Sequence, residues 1–237
     1  CTKQTYPNTL GGLQTNRASW YAASLVSYVF AVLSKEYAVM TVAMAVPLYV
    51  YIRRPGWRAI AAVTGGSLVA LALAGIAFWD IYGSLVGKVF DPRSVALVQQ
   101  LEAMRPGITG LIYPLSILNE AALFFAYGFL WLIPNVHWMS VDLRPAFPLG
   151  FGSWLHVLGA AGYVALFFAS IWMVLRPKNA LATVGLFLLF PLLWFVTEFA
   201  TVWVQDPFVL YRSYLWAVAV PGLIAIALTG FKPRTIY

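Results

Sequence analysis

The chain has 237 residues, of which 62% are hydrophobic and only 10% are charged, and its mean hydropathy is +0.80. A soluble domain carries about 25% charged residues, so this composition argues against a water-soluble enzyme and against a disordered tail. The net charge of +7 does not indicate nucleic-acid binding, because Lys and Arg collect in the cytoplasmic loops of membrane proteins. The sequence therefore predicts an all-α polytopic membrane protein.

A membrane-spanning helix needs about 20 mainly apolar residues. On this criterion residues 1–79 form an N-terminal helical group of three spans, and residues 154–237 form a C-terminal group of three spans. The first two spans are short. The six predicted spans are residues 20–33, 37–52, 59–79, 154–175, 181–204 and 214–229.

Residues 80–153, between the two groups, have a different pattern. Charged residues alternate with Val, Leu and Met over residues 81–107, which is typical of a helix that lies at the membrane interface. The apolar run 111–133 contains Pro114, Asn119 and Glu120. Residues 80–153 are interpreted as an external region, in which residues 111–133 are re-entrant or interfacial or cross twice. The alternative is that residues 111–133 cross the membrane once.

The orientation depends on three basic clusters, at residues 53–58, 176–178 and 232–234. Cytoplasmic loops carry an excess of Lys and Arg. All three clusters are cytoplasmic only if residues 111–133 do not make one simple crossing. The N-terminus is then cytoplasmic too, so Cys1 is expected to be an internal residue of a longer polypeptide rather than a lipidated cysteine. A single cysteine excludes an internal disulfide and a cysteine-built zinc site.

Charged side chains at membrane depth usually face a protein interior or a watery cavity. Lys35 and Glu36 lie between two short predicted helices, where they either neutralise each other or place the Lys35 ammonium in an outward cavity to bind phosphate. Arg212 precedes an apolar helix on the outer side. It is either a partner for Asp206 or a guanidinium that holds a phosphate by two parallel hydrogen bonds.

Five further polar residues are candidates for chemistry. His137, Asp142 and Arg144 lie close together in an otherwise apolar chain, although Asp142 and Arg144 also fit a simple pair across a turn. Glu120 and Glu198 are predicted buried carboxylates, which either hydrogen-bond to a neighbouring helix or serve in proton transfer. Two histidines in the whole chain are too few for a metal or haem site.

Three stretches follow the order of motifs in one known family. They are residues 33–36 (Leu-Ser-Lys-Glu) before an apolar helix, residues 127–134 leading to 139–142, and residues 209–215. Together they resemble the lysine–glutamate turn, the aromatic–leucine–proline segment with its acidic loop, and the outward arginine–leucine–tyrosine–leucine element of the TMTC proteins. These are transmembrane, tetratricopeptide-containing protein O-mannosyltransferases, and bacterial protein O-glycosyltransferases share their membrane region.

The resemblance implies a GT-C-like helical bundle that transfers a sugar from a polyprenyl-(pyro)phosphate carrier to a protein hydroxyl. The expected location is the bacterial inner membrane, with the active side facing the periplasm. The implied partners are the lipid-linked sugar donor, membrane lipids and a protein acceptor such as a pilin or another secreted protein, and not nucleic acid. The implied contacts to the carrier phosphate are Arg212 and Lys35, and those on the sugar and acceptor side are His137, Asp142, Arg144, Glu36 and Tyr211.

The chain departs from the GT-C pattern in two respects. It lacks an acidic pair in a first external loop, and no tetratricopeptide array follows Tyr237. The resemblance therefore covers the C-terminal part of such a membrane domain, and the catalytic acid or base, with any divalent metal ion, is expected outside this chain. The rival hypotheses are a transporter or flippase for a lipid-linked substrate and a non-catalytic subunit of a membrane complex.

Overall fold

The computed structural model describes residues 17–34, 36–82, 87–89, 91–133, 135–138, 143, 145–177, 179–200, 202, 213–217 and 219–229. The chain divides into two compact units, residues 1–38 and residues 39–237. Every regular element in the described ranges is a helix, which confirms the all-helical class. The first unit contains α1, Arg17–Ser34.

The second unit contains the remaining α-helices of the described residues. They are α2 (Thr41–Arg53), α3 (Trp57–Tyr82), α4 (Pro92–Met104), α5 (Ile112–Leu132), α6 (Trp154–Leu175), α7 (Ala180–Phe195), α8 (Tyr214–Ala217) and α9 (Ala219–Thr229). Short 3₁₀ turns accompany them at Glu36–Met40, Ile108–Leu111, Val136–Trp138 and Val196–Ala200.

Four helical stretches are long and apolar enough to cross a membrane, so the chain is an integral membrane protein. Three of them agree with the predicted spans 59–79, 154–175 and 181–204. The other three predicted spans correspond to shorter apolar helices, Ser19–Ser34, Ala38–Arg53 and Ala219–Thr229. The four long stretches are Trp57–Ala77, Ile108–Leu132, Trp154–Leu175 and Ala180–Ala200.

The helix α5 excludes two of the alternatives for residues 111–133, a re-entrant hairpin and a double crossing within this stretch. It is one continuous helix of 21 residues, whose length of about 30 Å fits a single crossing rather than a re-entrant hairpin. Pro114 is the third residue of α5. Proline is tolerated in the first turn of a helix, where the backbone N–H groups have no intrahelical partner. The proline therefore does not divide the segment.

The two long helices α5 and α6 run in the same direction along their contact. A Cβ added at Gly159 would lie 2.6 Å from the Cα of Ala122, and one added at Gly162 would lie 3.2 Å from the ring of Phe125. A step of three residues along α6 is thus matched by a step of three residues in the same sense along α5. Consecutive helices that are parallel need a connection that returns from the end of the first to its start.

The stretch between α5 and α6 makes this return. The guanidinium of Arg105, the C-cap residue of α4, donates a hydrogen bond to the carbonyl oxygen of Leu149, close to the beginning of α5. Leu143 and Phe147 of the connection pack against the main hydrophobic core. Irregular backbone is tolerated at membrane depth only where protein shelters it, and these contacts provide shelter. The chain therefore leads away from Arg105 along α5 and is beside Arg105 again at Leu149.

One end of the second unit is tied together by an arginine. Nη1 of Arg54 donates hydrogen bonds to the carbonyl oxygens of Val174 and Arg176, at 2.5 and 2.6 Å. The hydroxyls of Tyr51 and Thr183 lie 2.7 Å apart. We call this the arginine end: the turn between α2 and α3 together with the turn between α6 and α7. Basic residues 53–58 and Arg176 share it, as the sequence predicted, whereas residues 232–234 lie outside the described residues.

The other end of these helices, called the far end, comprises the turn Val196–Ala200 and the start of α5. The backbone N–H of Gly87 donates to the carbonyl oxygen of Ala200 at 3.3 Å. The hydroxyl of Tyr113 donates to the carbonyl oxygen of Phe199 at 3.0 Å. The far end therefore joins the chain that follows α3 to the ends of α5 and α7.

Glu102 shapes the link between α4 and α5. Its carboxylate accepts hydrogen bonds from the hydroxyl of Thr109 at 2.6 Å, from the N–H of Thr109 at 2.9 Å and from the N–H of Gly107 at 2.5 Å. The hydroxyl bond and then the backbone bonds hold the pKa of Glu102 below its ordinary value, because they favour the charged form. The carboxylate is ionised at neutral pH and organises the turn.

The close helix contacts predict which glycines tolerate a methyl group. We expect Gly159→Ala and Gly185→Ala each to lower the free energy of unfolding by about 1–3 kcal/mol, because a Cβ there meets neighbouring helix atoms within 3 Å. The matched control is Gly65→Ala in α3, where no atom lies within 4 Å of the added group. Thermal unfolding in detergent measures all three, and equal stability of the three variants would refute the α5–α6 and α6–α7 contacts.

Candidate functional site

Three polar side chains are buried in the middle of the apolar helix α5. Ser116 and Asn119 are completely buried, and Glu120 is 5% exposed. The hydroxyl of Ser116 donates to the carbonyl oxygen of Ile112 at 2.7 Å, so its polarity is satisfied within the helix. Asn119 has no such local solution, and it is a first candidate for function together with the buried carboxyl group of Glu120.

Glu120 lies on the face of α5 that packs against the end of α7. Tyr113, seven residues earlier, hydrogen-bonds to the backbone of Phe199, and Phe124, four residues later, packs edge-on against Phe195 with ring centroids 5.2 Å apart. Residues at spacings of four and seven share one helix face. The carboxyl group of Glu120 therefore points toward the same neighbour as these two aromatic rings.

Glu198 approaches the same contact from the other side. It is 3% exposed and belongs to the turn Val196–Ala200, three residues after Phe195. Side chains at i and i+3 of a 3₁₀ turn eclipse, so Glu198 shares the face of Phe195 that meets α5. Glu120 and Glu198, called the carboxylate pair below, therefore lie on facing surfaces near the far end.

Aromatic rings pack together where α5 meets the turn that carries Glu198. The rings of Phe124 and Phe199 both pack edge-on against Tyr163 of α6, with centroid distances of 5.1 and 5.3 Å. The hydroxyl of Tyr163 donates to the carbonyl oxygen of Leu192 at 2.5 Å, which satisfies it inside the core. These rings exclude water, and exclusion of water strengthens any electrostatic interaction of a buried carboxyl group.

Asn119 is the polar residue whose role the sequence did not single out. Neither atom of its amide has a hydrogen-bond partner among the residues that the structure describes, and the side chain is fully buried. A buried polar group without a partner costs about 1–3 kcal/mol. The amide inside an apolar run of the sequence could have indicated a functional residue. A buried polar group that lowers stability usually has a ligand, a water or a catalytic role.

An apolar cavity of about 270 Å³ adjoins the aromatic rings. It lies between α5 and α6 and is bounded by Pro114, Ala121, Phe151, Tyr163 and Phe199 among others. Tyr163 and Phe199 belong both to this cavity and to the surroundings of the carboxylate pair. The far end thus offers an apolar recess beside ionisable groups.

The structure places only part of the predicted site. His137 is exposed in the turn Val136–Trp138, and its backbone N–H donates to the side-chain oxygen of Asn135 at 3.1 Å. Glu36 begins the turn Glu36–Met40. The predicted residues outside the described part of the chain are Lys35, Asp142, Arg144, Tyr211 and Arg212.

Neighbours of these residues are described. Ser213, next to Arg212, is fully buried and accepts a hydrogen bond of 2.8 Å from the indole N–H of Trp131 at the end of α5. Leu143, between Asp142 and Arg144, packs against the main core. The Nδ1 atom of His156 lies 2.7 Å from the hydroxyl oxygen of Ser153 at the start of α6, within hydrogen-bond distance.

Comparison with known proteins gives no relative: no family model, no curated protein and no solved structure matches the chain. In the described ranges, no group of three or more His, Cys, Asp or Glu side chains is arranged to hold a metal ion. The arrangement that remains for function is the carboxylate pair with Asn119 beside it.

Replacing Asn119 tests whether its polarity is retained for function. We expect Asn119→Leu to raise the free energy of unfolding by about 1–3 kcal/mol, because it replaces a buried amide without a partner by an apolar side chain of the same branching. Asn179→Leu is the matched control and should be destabilising, since the side-chain oxygen of Asn179 caps α7 through the N–H of Ala182 at 2.9 Å. Thermal unfolding measures the stability of both variants. A destabilised Asn119→Leu would contradict this account of Asn119.

Proposed function

We propose that the chain is the carrier-binding part of a GT-C glycosyltransferase, which transfers a sugar from a polyprenyl-(pyro)phosphate carrier to a protein hydroxyl on the outer face of the membrane. The resemblance of residues 33–36, 127–142 and 209–215 to the TMTC family supports the reaction class. The structural observation that carries the proposal is the carboxylate pair, two buried ionisable groups in helices that pack against each other at the far end.

The reaction defines what these residues have to do. A bond forms between the acceptor oxygen and the anomeric carbon, and the bond from that carbon to the carrier phosphate oxygen breaks. The electron pair stays on the phosphate, where Arg212 and Lys35 stabilise the developing negative charge. The acceptor proton passes to a carboxylate. That carboxylate is the principal base, which belongs to the external loop expected outside this chain. The carboxylate pair is the group of this chain that takes the proton on from the principal base.

The distribution of charge supports a periplasmic active side. Arg53, Arg54, Arg58 and Arg176 gather at the arginine end, which fits the cytoplasmic side of a bacterial inner membrane. The far end, with the carboxylate pair beneath it, then faces the periplasm, where a lipid-linked sugar meets a secreted acceptor protein such as a pilin.

Sugar transfer from a defined polyprenyl-linked donor by the full-length protein tests the proposal. We expect Glu198→Gln to lower kcat about 100-fold or more with donor binding retained, because the loss of a proton-transfer group costs about 10²–10⁴ in rate. Arg212→Ala should lose donor binding. The matched control is Asp80→Asn, which changes an exposed carboxylate at the end of α3 and should leave both quantities unchanged.

The opposite outcomes separate the rival functions. Donor binding without transfer, across several donors and acceptors, would contradict the enzyme and favour a transporter or flippase for a lipid-linked substrate. Neither binding nor transfer by the parent protein would leave the chain as a non-catalytic subunit. Unchanged transfer in Glu198→Gln would remove the carboxylate pair from the reaction.

A further inference from the structure

A second cavity lies between four helices and is larger than the one beside the carboxylate pair. It has a volume of about 430 Å³ and is formed by α2, α3, α6 and α7. Its walls are apolar, with Val46, Leu68, Ile171 and Leu189 as representatives of the four helices. Leu68 is 61% exposed, so the cavity wall continues onto the lipid-facing surface of α3. A cavity with these walls fits a hydrocarbon chain and not a polar metabolite.

Arg54 lies next to this cavity at the arginine end. Val50 and Val174 line the cavity, and they are also the residues whose carbonyl oxygens accept hydrogen bonds from the backbone N–H and the guanidinium of Arg54. Nη1 of Arg54 is used twice, for Val174 and Arg176. Nε and Nη2 are buried and have no hydrogen-bond partner among the described residues. The guanidinium therefore has donors left for an anion.

The charges around the cavity mouth are of one sign. Arg53, Arg58 and Arg176 are exposed at the same end, and the guanidinium of Arg176 lies over the ring of Trp172 at 4.2 Å. In the sequences of the four lining helices the single carboxylate is Asp80, near the opposite end of α3 from Arg58. An uncompensated guanidinium at low dielectric is costly unless an anion pairs with it.

We propose that the arginine end binds an anionic phospholipid, with one acyl chain in the 430 Å³ cavity and the phosphate on Arg54. Arg53, Arg58 and Arg176 surround the headgroup. Basic pockets between membrane helices bind anionic headgroups in this way, and the apolar cavity adds a requirement for the chain. This site is at the opposite end from the carboxylate pair, and its occupancy does not depend on the proposed function.

The test counts lipids retained by the full-length protein in native mass spectrometry. The probes are phosphatidylglycerol and phosphatidylcholine with the same acyl chains, and glycerol phosphate as the headgroup alone. We expect phosphatidylglycerol to bind at least about tenfold more tightly than phosphatidylcholine. Both lipids carry the phosphate, but the choline ammonium of phosphatidylcholine is repelled by Arg54 and by the exposed arginines around it. Glycerol phosphate should not compete at the same concentration.

Three variants assign the binding to this place. Arg54→Gln should lose the preference for phosphatidylglycerol, and Arg93→Gln, which changes an exposed arginine on α4, should retain it. Val46→Phe fills the cavity and keeps every arginine, so it should weaken binding of both lipids about tenfold. If Arg54→Gln does not fold, the proposal is tested with Val46→Phe alone.

Four results would overturn the proposal. They are equal retention of the two lipids by the parent, an unchanged preference in a folded Arg54→Gln, unchanged binding in Val46→Phe, and competition by glycerol phosphate as strong as that of the intact lipid. The last result would indicate a site for a free anion rather than for a lipid.

Discussion

The close approach of α5 and α6 at Gly159 and Ala122 determines the course of the chain. A side chain at residue 159 would separate the helices, so the contact depends on a glycine. Because the two helices are parallel there, the chain between them has to return along the bundle, and Arg105 fixes where it arrives. This return brings the end of α6 beside Arg54 and leaves the carboxylate pair near the far end.

Hydrophobicity alone predicted the helices but not their directions. The predicted span 154–175 has the same bounds as α6. An unbroken apolar run of that length is favourable in a membrane as a spanning helix, so its position could be predicted from hydropathy. For α5 the positions of the basic clusters suggested a stretch that does not make one simple crossing, because the sequence does not show that the chain after α5 returns toward Arg105. Asn119 and Glu120 are buried within this helix. The parallel contact at Gly159 is long-range and leaves no periodic signal in the sequence.

The candidate site was predictable in part for the same reason. Glu120 and Glu198 were recognised because a carboxyl group in an apolar run is rarely tolerated without a role, and both are buried. That both belong to the contact between α5 and the end of α7 depends on how these helices cross, which the sequence does not specify. Asn119 carries a weaker signal, since an amide is often satisfied by a neighbouring helix. Arg54 looked like an ordinary cytoplasmic arginine until its contacts with α6 were known.

The direction of α6 relative to α5 is the central claim, and labelling of introduced cysteines in sealed membrane vesicles tests it most directly. The parent would carry Cys1→Ser, and single cysteines would replace the exposed residues Gly56, Pro177 and Gly152. An impermeant maleimide should label residues 56 and 177 from one side of the membrane and residue 152 from the other. Labelling of residues 56 and 177 from opposite sides, or of 152 and 177 from the same side, would contradict the account.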